Sequence, residues 1–202
     1  MKERPGLDVS QLPLHGYSSR APLWWGNLLM IVTEATMFAI VIGSYFYISK
    51  SFSAWPPRPI PDPDLLLPTI NLIVMIVSLA PEIAVHLLAV RGGSQRSIQI
   101  GLVVSSMFLI AAVTLRFFEF NALKVKWDAN AYGSIAWAAL SLHLGHLIAA
   151  TGETFVLTAW VFTHRLDEKH RLDLSVTAIY WYFVVVAWAV LYPIIYLSPR
   201  AW

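Results

Sequence analysis

Five apolar stretches, each longer than 20 residues and separated by polar connectors, leave this chain few ways to fold. They cover about residues 23–48, 65–90, 98–120, 132–162 and 174–197. About 20 mainly apolar residues cross the roughly 30 Å hydrocarbon core of a bilayer as one helix. With no water there to bind backbone N–H and C=O groups, a helix must satisfy its own. The expected fold class is an all-α membrane protein, a five-transmembrane-helix bundle forming one domain over residues 1–202. The fourth stretch exceeds a crossing, so it is expected to tilt or project into water.

Composition narrows the function classes. The chain is 57% hydrophobic and 13% charged, against about 25% charged in a soluble domain. A formal charge of +2 and the lack of a Gly-rich phosphate loop argue against nucleic acid as a partner. The absence of cysteine removes disulfides, thiolate metal sites and Cys-held iron–sulfur clusters. The opening segment, "MKERPGLDVSQLPLHGYSSRAP", is polar for too long to read as a signal peptide. With the N-terminus cytoplasmic, Lys2, Arg4, Arg20, Arg91, Arg96, Arg165, Lys169 and Arg171 lie inside. Lys50, Arg58, Lys124, Lys126 and Arg200 then lie outside. That positive-inside bias puts the N-terminus in the cytoplasm and the C-terminus outside. Trp and Tyr residues at span ends read as interface anchors.

Ionisable residues inside the spans are the functional candidates, because an unpaired charge in hydrocarbon is expensive. Glu34 is the one charge in the run Leu23–Ile48. At a rise of about 1.5 Å per residue it falls near the midplane. Glu82, His86, His143, His146 and Glu153 group with it between midplane and inner side. Glu82 and His86 are four apart and share a helix face; His143 and His146 are three apart, with Glu153 seven further on. Arg116 and Glu119, near the outer end of the third span, read as a separate structural ion pair. Two readings stay open for the inner cluster: an inter-helix hydrogen-bond network, or a bundle-core metal site. A di-metal site wants Glu-x-x-His on two helices, and this chain has Glu-x-x-x-His and His-x-x-His instead. The expectation is no metal, with His143 or His146 facing Glu34. Pro81 is expected to kink the second helix.

Five segments in order resemble subunit III of the haem–copper terminal oxidases, in a five-helix form. They are "LWWGNLLMIVTEATMF", "WPPRPIPDPDLLLPTINLIVMIVS", "LRFFEF", "LHLGH" and "YWYFVVVAWAVLYPIIY". The resemblance implies a non-catalytic accessory subunit of a respiratory oxidase in aerobic electron transport. No cofactor is expected in this chain, with haem and copper in partner subunits, and it would pack against catalytic subunit I. It would support proton uptake and stability and bind membrane phospholipid, as a multi-pass protein of the inner (plasma) membrane of a bacterium. Glu34 matches the family's buried, carbodiimide-reactive carboxylate. Longer members carry two further N-terminal helices that enclose a lipid-filled cleft.

Two positions depart from the pattern. Tyr182 stands where the family usually has His, and Val185 where it usually has Asp, while Glu82 and Glu153 are additions. Glu82, His86 and Glu153 are expected to replace the lost pair. The alternatives are a nitric-oxide-reductase accessory protein, or a self-sufficient metal-carboxylate enzyme using Glu82, His86, His143, His146 and Glu153.

Overall fold

The computed structural model describes residues 21–201, with the side chains of Glu168, Lys169 and Ala201 left aside. The polar N-terminal stretch, and with it Lys2, Arg4 and Arg20 of the charge bias, lies outside the described residues. Five helices follow one another: α1 Pro22–Ser49, α2 Leu66–Val90, α3 Gln95–Ala122, α4 Ala131–Thr163 and α5 Glu168–Tyr192. A π-helical turn, Pro193–Leu197, and a 3-10 turn, Ser198–Ala201, extend α5. Each of the five is long and apolar enough to cross a membrane, and the described residues hold no strand.

Local chemistry sets where the helices start. Ser94 accepts from the Ser97 N–H, Asn130 from Gly133 and Asp167 from His170. These side chains cap α3, α4 and α5 by satisfying an N–H that no helical carbonyl can reach. As a result α3 begins three residues and α5 six residues before the apolar runs at 98 and 174. Apolarity marks only the part that must avoid water. At 33 residues, α4 is about 50 Å long, well beyond one hydrocarbon core. Pro81 sits within α2, which continues through it to Val90. One turn earlier, Ser78 donates to the Met75 carbonyl at 2.6 Å and accepts from Trp181 Nε1 at 3.0 Å.

The packing is centred on α5. Helix α2 lies against α3 and α5, α4 touches α1, α3 and α5, and α1 meets only α4 and α5 among its main contacts. In their most apolar windows 61% of α5 but 11% of α1 is buried, which makes α1 the outermost member. Met75, Leu109, Ala112, Leu140, Leu147, Trp181, Val184 and Trp188 form the central core.

The aromatic residues at span ends divide into two sets. Trp25, Tyr47 and Trp127 are exposed, as interface anchors would be. Trp55, Tyr45, Tyr132 and Tyr196 are buried. Trp55, from the Pro-rich connector, meets Tyr45 at 5.5 Å and Tyr132 at 5.1 Å, both edge to face. The anchor reading is therefore corrected for this set: the rings pack on one another and close one end of the bundle.

Close backbone approach fixes two glycines. A Cβ at Gly133 would lie 2.2 Å from the Lys126 carbonyl oxygen, and one at Gly101 would lie 2.5 Å from Val85 Cγ2. We expect Gly133→Ala to destabilise the protein by roughly 1–3 kcal/mol through overpacking against backbone. Gly43→Ala, with nothing within 4 Å, should be neutral or stabilise by up to about 1 kcal/mol from helix propensity. Thermal unfolding in one detergent checks both; equal melting shifts would contradict the packing argument.

Candidate functional site

Three polar groups lie within the helical bundle, one of them on an open face, and they divide the candidate residues differently from their order in the chain. The first centres on Arg116 of α3, which has no exposed surface. Nη1 of Arg116 donates to Glu119 Oε2, and Nη2 donates to His143 Nδ1 at 3.2 Å. The guanidinium carbon lies 3.4 Å from the centroid of the Trp188 ring, a cation–π contact. His143 completes the chain by donating from Nε2 to the Val184 carbonyl at 3.0 Å. Its ring is thus the neutral Nε2–H form, with both nitrogens occupied. The Arg116–Glu119 pair is in place, and it is joined to His143 and Trp188 instead of standing apart.

The second group lies on an open face formed by α1, α4 and α5. Glu34 Oε2 is 3.5 Å from His146 Nε2, with the side chains 22% and 11% exposed. His146 donates from Nδ1 to the Leu142 carbonyl at 2.7 Å, which aims Nε2 at Glu34. The contact is within ion-pair range but is not a hydrogen bond, since Oε2 has no hydrogen-bond partner among the described residues. A pocket of about 320 Å³ opens beside the pair, lined by Ser141, Gly145, Ala149 and Tyr180. Further along α4, Glu153 is exposed and its Oε1 accepts from Thr177 at 2.7 Å.

The third group joins α2, α3 and α5. His86 Nδ1 is 3.1 Å from the Tyr182 hydroxyl, with the two rings stacked at 5.9 Å. One turn back, the Glu82 carboxyl is 2% exposed and sits against Ser105.

Helical geometry explains the division. Residues three apart on a helix point about 60° apart. His143 therefore shares the face of Leu140 and Leu147, turned into the core, and meets Arg116. His146 turns outward to α1, so of the two histidines expected to face Glu34 only His146 does. Glu153 lies seven beyond His146, close to two full turns, and shares its outward face. Tyr180 and Thr177, which complete this face, went unread in the sequence. They lie three apart on α5, and that spacing was their only signal. The residues invoked for a self-sufficient metal enzyme are thus spread over three groups. Among the described residues no three of His, Cys, Asp and Glu come together as a metal would need.

The comparisons agree with one another. The family model described as cytochrome c oxidase subunit III matches residues 9–199. A protein named cytochrome c oxidase subunit 3 from Pylaiella littoralis is 29% identical over 193 residues, covering 90% of this chain and 69% of that protein. Its namesake in Saccharomyces cerevisiae is 24% identical, covering 94% and 72%. The one in Drosophila yakuba is 26% identical, covering 91% and 72%.

The buried guanidinium generates a direct test. Arg116→Leu should cost about 3–5 kcal/mol, because it leaves Glu119 buried without its partner. Replacing both residues by Leu should recover much of that loss, since the unpaired charge disappears with the pair. Arg116→Lys should not rescue, because an ammonium cannot bond Glu119 and His143 in one plane against Trp188. Melting temperatures of the four proteins decide it, and a double variant no more stable than Arg116→Leu alone would refute the coupling.

Proposed function

Since this chain belongs to the cytochrome c oxidase subunit III family, we propose that it packs against the catalytic subunit I of a respiratory haem–copper oxidase. In this reading oxygen is reduced to water at haem and copper held by partner subunits, in the plasma membrane of a bacterium. The chain itself supports proton uptake from the cytoplasmic side, protects the complex during turnover and holds phospholipid. Family membership makes it an oxidase accessory subunit; the finer roles are our reading of the site.

One observation carries it: the Glu34–His146 pair sits on the open α1–α4–α5 face instead of inside the core. A buried structural pair has no need of an open pocket beside it. Here an acid and an imidazole line a space edged by Ser141, Gly145 and Ala149, small residues that allow another helix or an acyl chain to approach closely. The weakly buried α1 supports the same view, since most of its surface is left for lipid or protein. The two histidines of α4 are poorly placed to ligand haem or copper. His143 uses both ring nitrogens, and His146 keeps one free nitrogen that faces a carboxylate. With the N-terminal ends of α1 and α5 on the cytoplasmic side, the Glu82 and Glu153 ends of α2 and α4 face inward too.

The experiment is a mild-detergent pull-down of the tagged chain followed by a visible spectrum and metal analysis. Reduced-haem bands arriving with a large multi-span partner are expected. A colourless, partner-free protein would overturn the reading. In the intact complex, Glu34→Gln and His146→Gln should each lower proton uptake or shorten the active lifetime severalfold while leaving the haem content unchanged. Leu29→Ala, exposed on the same helix, should do neither.

A further inference from the structure

We propose that Glu82 is a second proton-holding acid, independent of the Glu34–His146 pair. It exchanges its proton through the His86–Tyr182 pair with the water at the end of the bundle where α2 finishes. This inference rests on the contacts of α2, α3 and α5 and does not require the oxidase reading above.

Glu82 is the isolated carboxyl of the interior. Glu119 has Arg116, Glu34 has His146 and Glu153 has Thr177. Glu82 has 2% of its surface exposed, and among the described residues no cation pairs with it. Its Oε1 has no hydrogen-bond partner, and neither has the hydroxyl of Ser105, which faces it from α3. Two neighbouring orphans of this kind are uncommon, since buried polar atoms are nearly always bonded. The serine hydroxyl could donate to the carboxyl in either charge state; what favours the acid is burial with no cation beside it among the described residues. An ionised carboxylate in the same place would be an uncompensated charge in low dielectric.

The exchange route is built from what lies next along α2 and across to α5. His86 is one turn beyond Glu82 on the same face, and Tyr182 bonds its Nδ1 while also lying in the field of the Glu82 carboxyl. His86 is half-buried, and α2 ends four residues later at Val90. Glu82 is therefore about 12 Å, and His86 about 6 Å, from the end of the helix. Of the elements packed against α2, α3 presents Ser105 and α5 presents Tyr182, while His86 is on α2 itself. In each transfer one proton leaves a carboxyl, phenol or imidazolium for the neighbouring lone pair, and no electrons change hands. The Tyr182 hydroxyl and His86 Nδ1 are in hydrogen-bond contact, so a proton passed between them leaves Nε2 of His86 to exchange with water.

The test is infrared difference spectroscopy of the detergent-extracted protein with whatever partners it carries, as each variant against the unaltered chain, in H2O and D2O. A carboxylic-acid C=O stretch should be present and be lost in Glu82→Gln but kept in Glu34→Gln. Ser105→Ala should move that band to higher frequency, because the carbonyl loses a donor. His86→Gln should leave the band in place and slow its shift on transfer to D2O severalfold. Retention of the band in Glu82→Gln would overturn the proposal, as would an unmoved band in Ser105→Ala or an unchanged exchange rate in His86→Gln. Should Glu82→Gln fail to fold, the Ser105→Ala shift and the His86→Gln exchange rate decide alone.

Discussion

A guanidinium with no exposed surface inside a five-helix membrane bundle dictates much of what surrounds it. Arg116 needs an anion, an acceptor and a shielding face, and it takes these from three helices: Glu119 on its own α3, His143 on α4 and Trp188 on α5. Holding them at once fixes how α4 and α5 are rotated about their axes. Once His143 is turned inward to Arg116, His146 must point about 60° away. That direction is toward α1. The pairing of Glu34 with His146 is thus a consequence of the buried cation. The same rotation carries Glu153 to the outer face, where Thr177 receives it. Energetically such a buried pair is weak evidence of net stabilisation, because desolvation offsets most of the attraction. Its effect is on orientation: helices in a bilayer lack a hydrophobic driving force to choose one face over another.

The three polar groups consequently differ in what they can do. The Arg116 group is closed on all sides and every ring nitrogen of His143 is used, so it serves to hold the fold. The Glu34–His146 pair has a pocket beside it, so it is accessible to whatever covers α1. In the third group Glu82 is buried, while His86 and Tyr182 are half-buried, and Glu82 lies two turns from the end of α2. Glu34 and Glu82 therefore sit on different walls of α5. Relatives in this family are longer than this chain, which covers 69 to 72% of three of them. The weakly buried α1 leaves the Glu34 face open for cover by lipid or by a neighbouring subunit.

The spans were legible from apolar runs alone, to within a few residues, because the bilayer imposes a length. Helix starts were less so: Ser94 and Asp167 extend α3 and α5 into polar sequence, and apolarity carries no information there. The rotation of each helix was the least legible feature. In a soluble bundle the polar stripe reveals the outward face, whereas here lipid-facing residues such as Leu29, Ile40 and Met107 are as apolar as the core. Spacing could say that His143 and His146 were neighbours, but not that a 60° difference would send them to different partners. Trp55 shows the same limit from the other side. At span ends Tyr45 and Tyr132 read as anchors, and only the arrival of Trp55 from the Pro-rich connector shows them to be buried against it.

The two departures in the last helix become intelligible at the level of contacts. The resemblance leads one to expect His at Tyr182 and Asp at Val185, a polar pair carried by α5 itself. Val185 is buried among the central apolar residues and leaves no polar group to satisfy. Tyr182 keeps one, its hydroxyl, and that hydroxyl bonds His86 on α2. A phenol in place of an imidazole needs a partner able both to accept and to donate, which a histidine across the interface provides. The family resemblance leads one to expect the acid on α5; here a buried acid, Glu82, stands on α2, one turn from the histidine. Glu153, expected in the same rebuilt group, belongs instead with Thr177 on the far side of α5. An acid, an imidazole and an aromatic hydroxyl can thus be kept together while their backbone positions change, because a proton-exchanging site is defined by the order of its donors and acceptors.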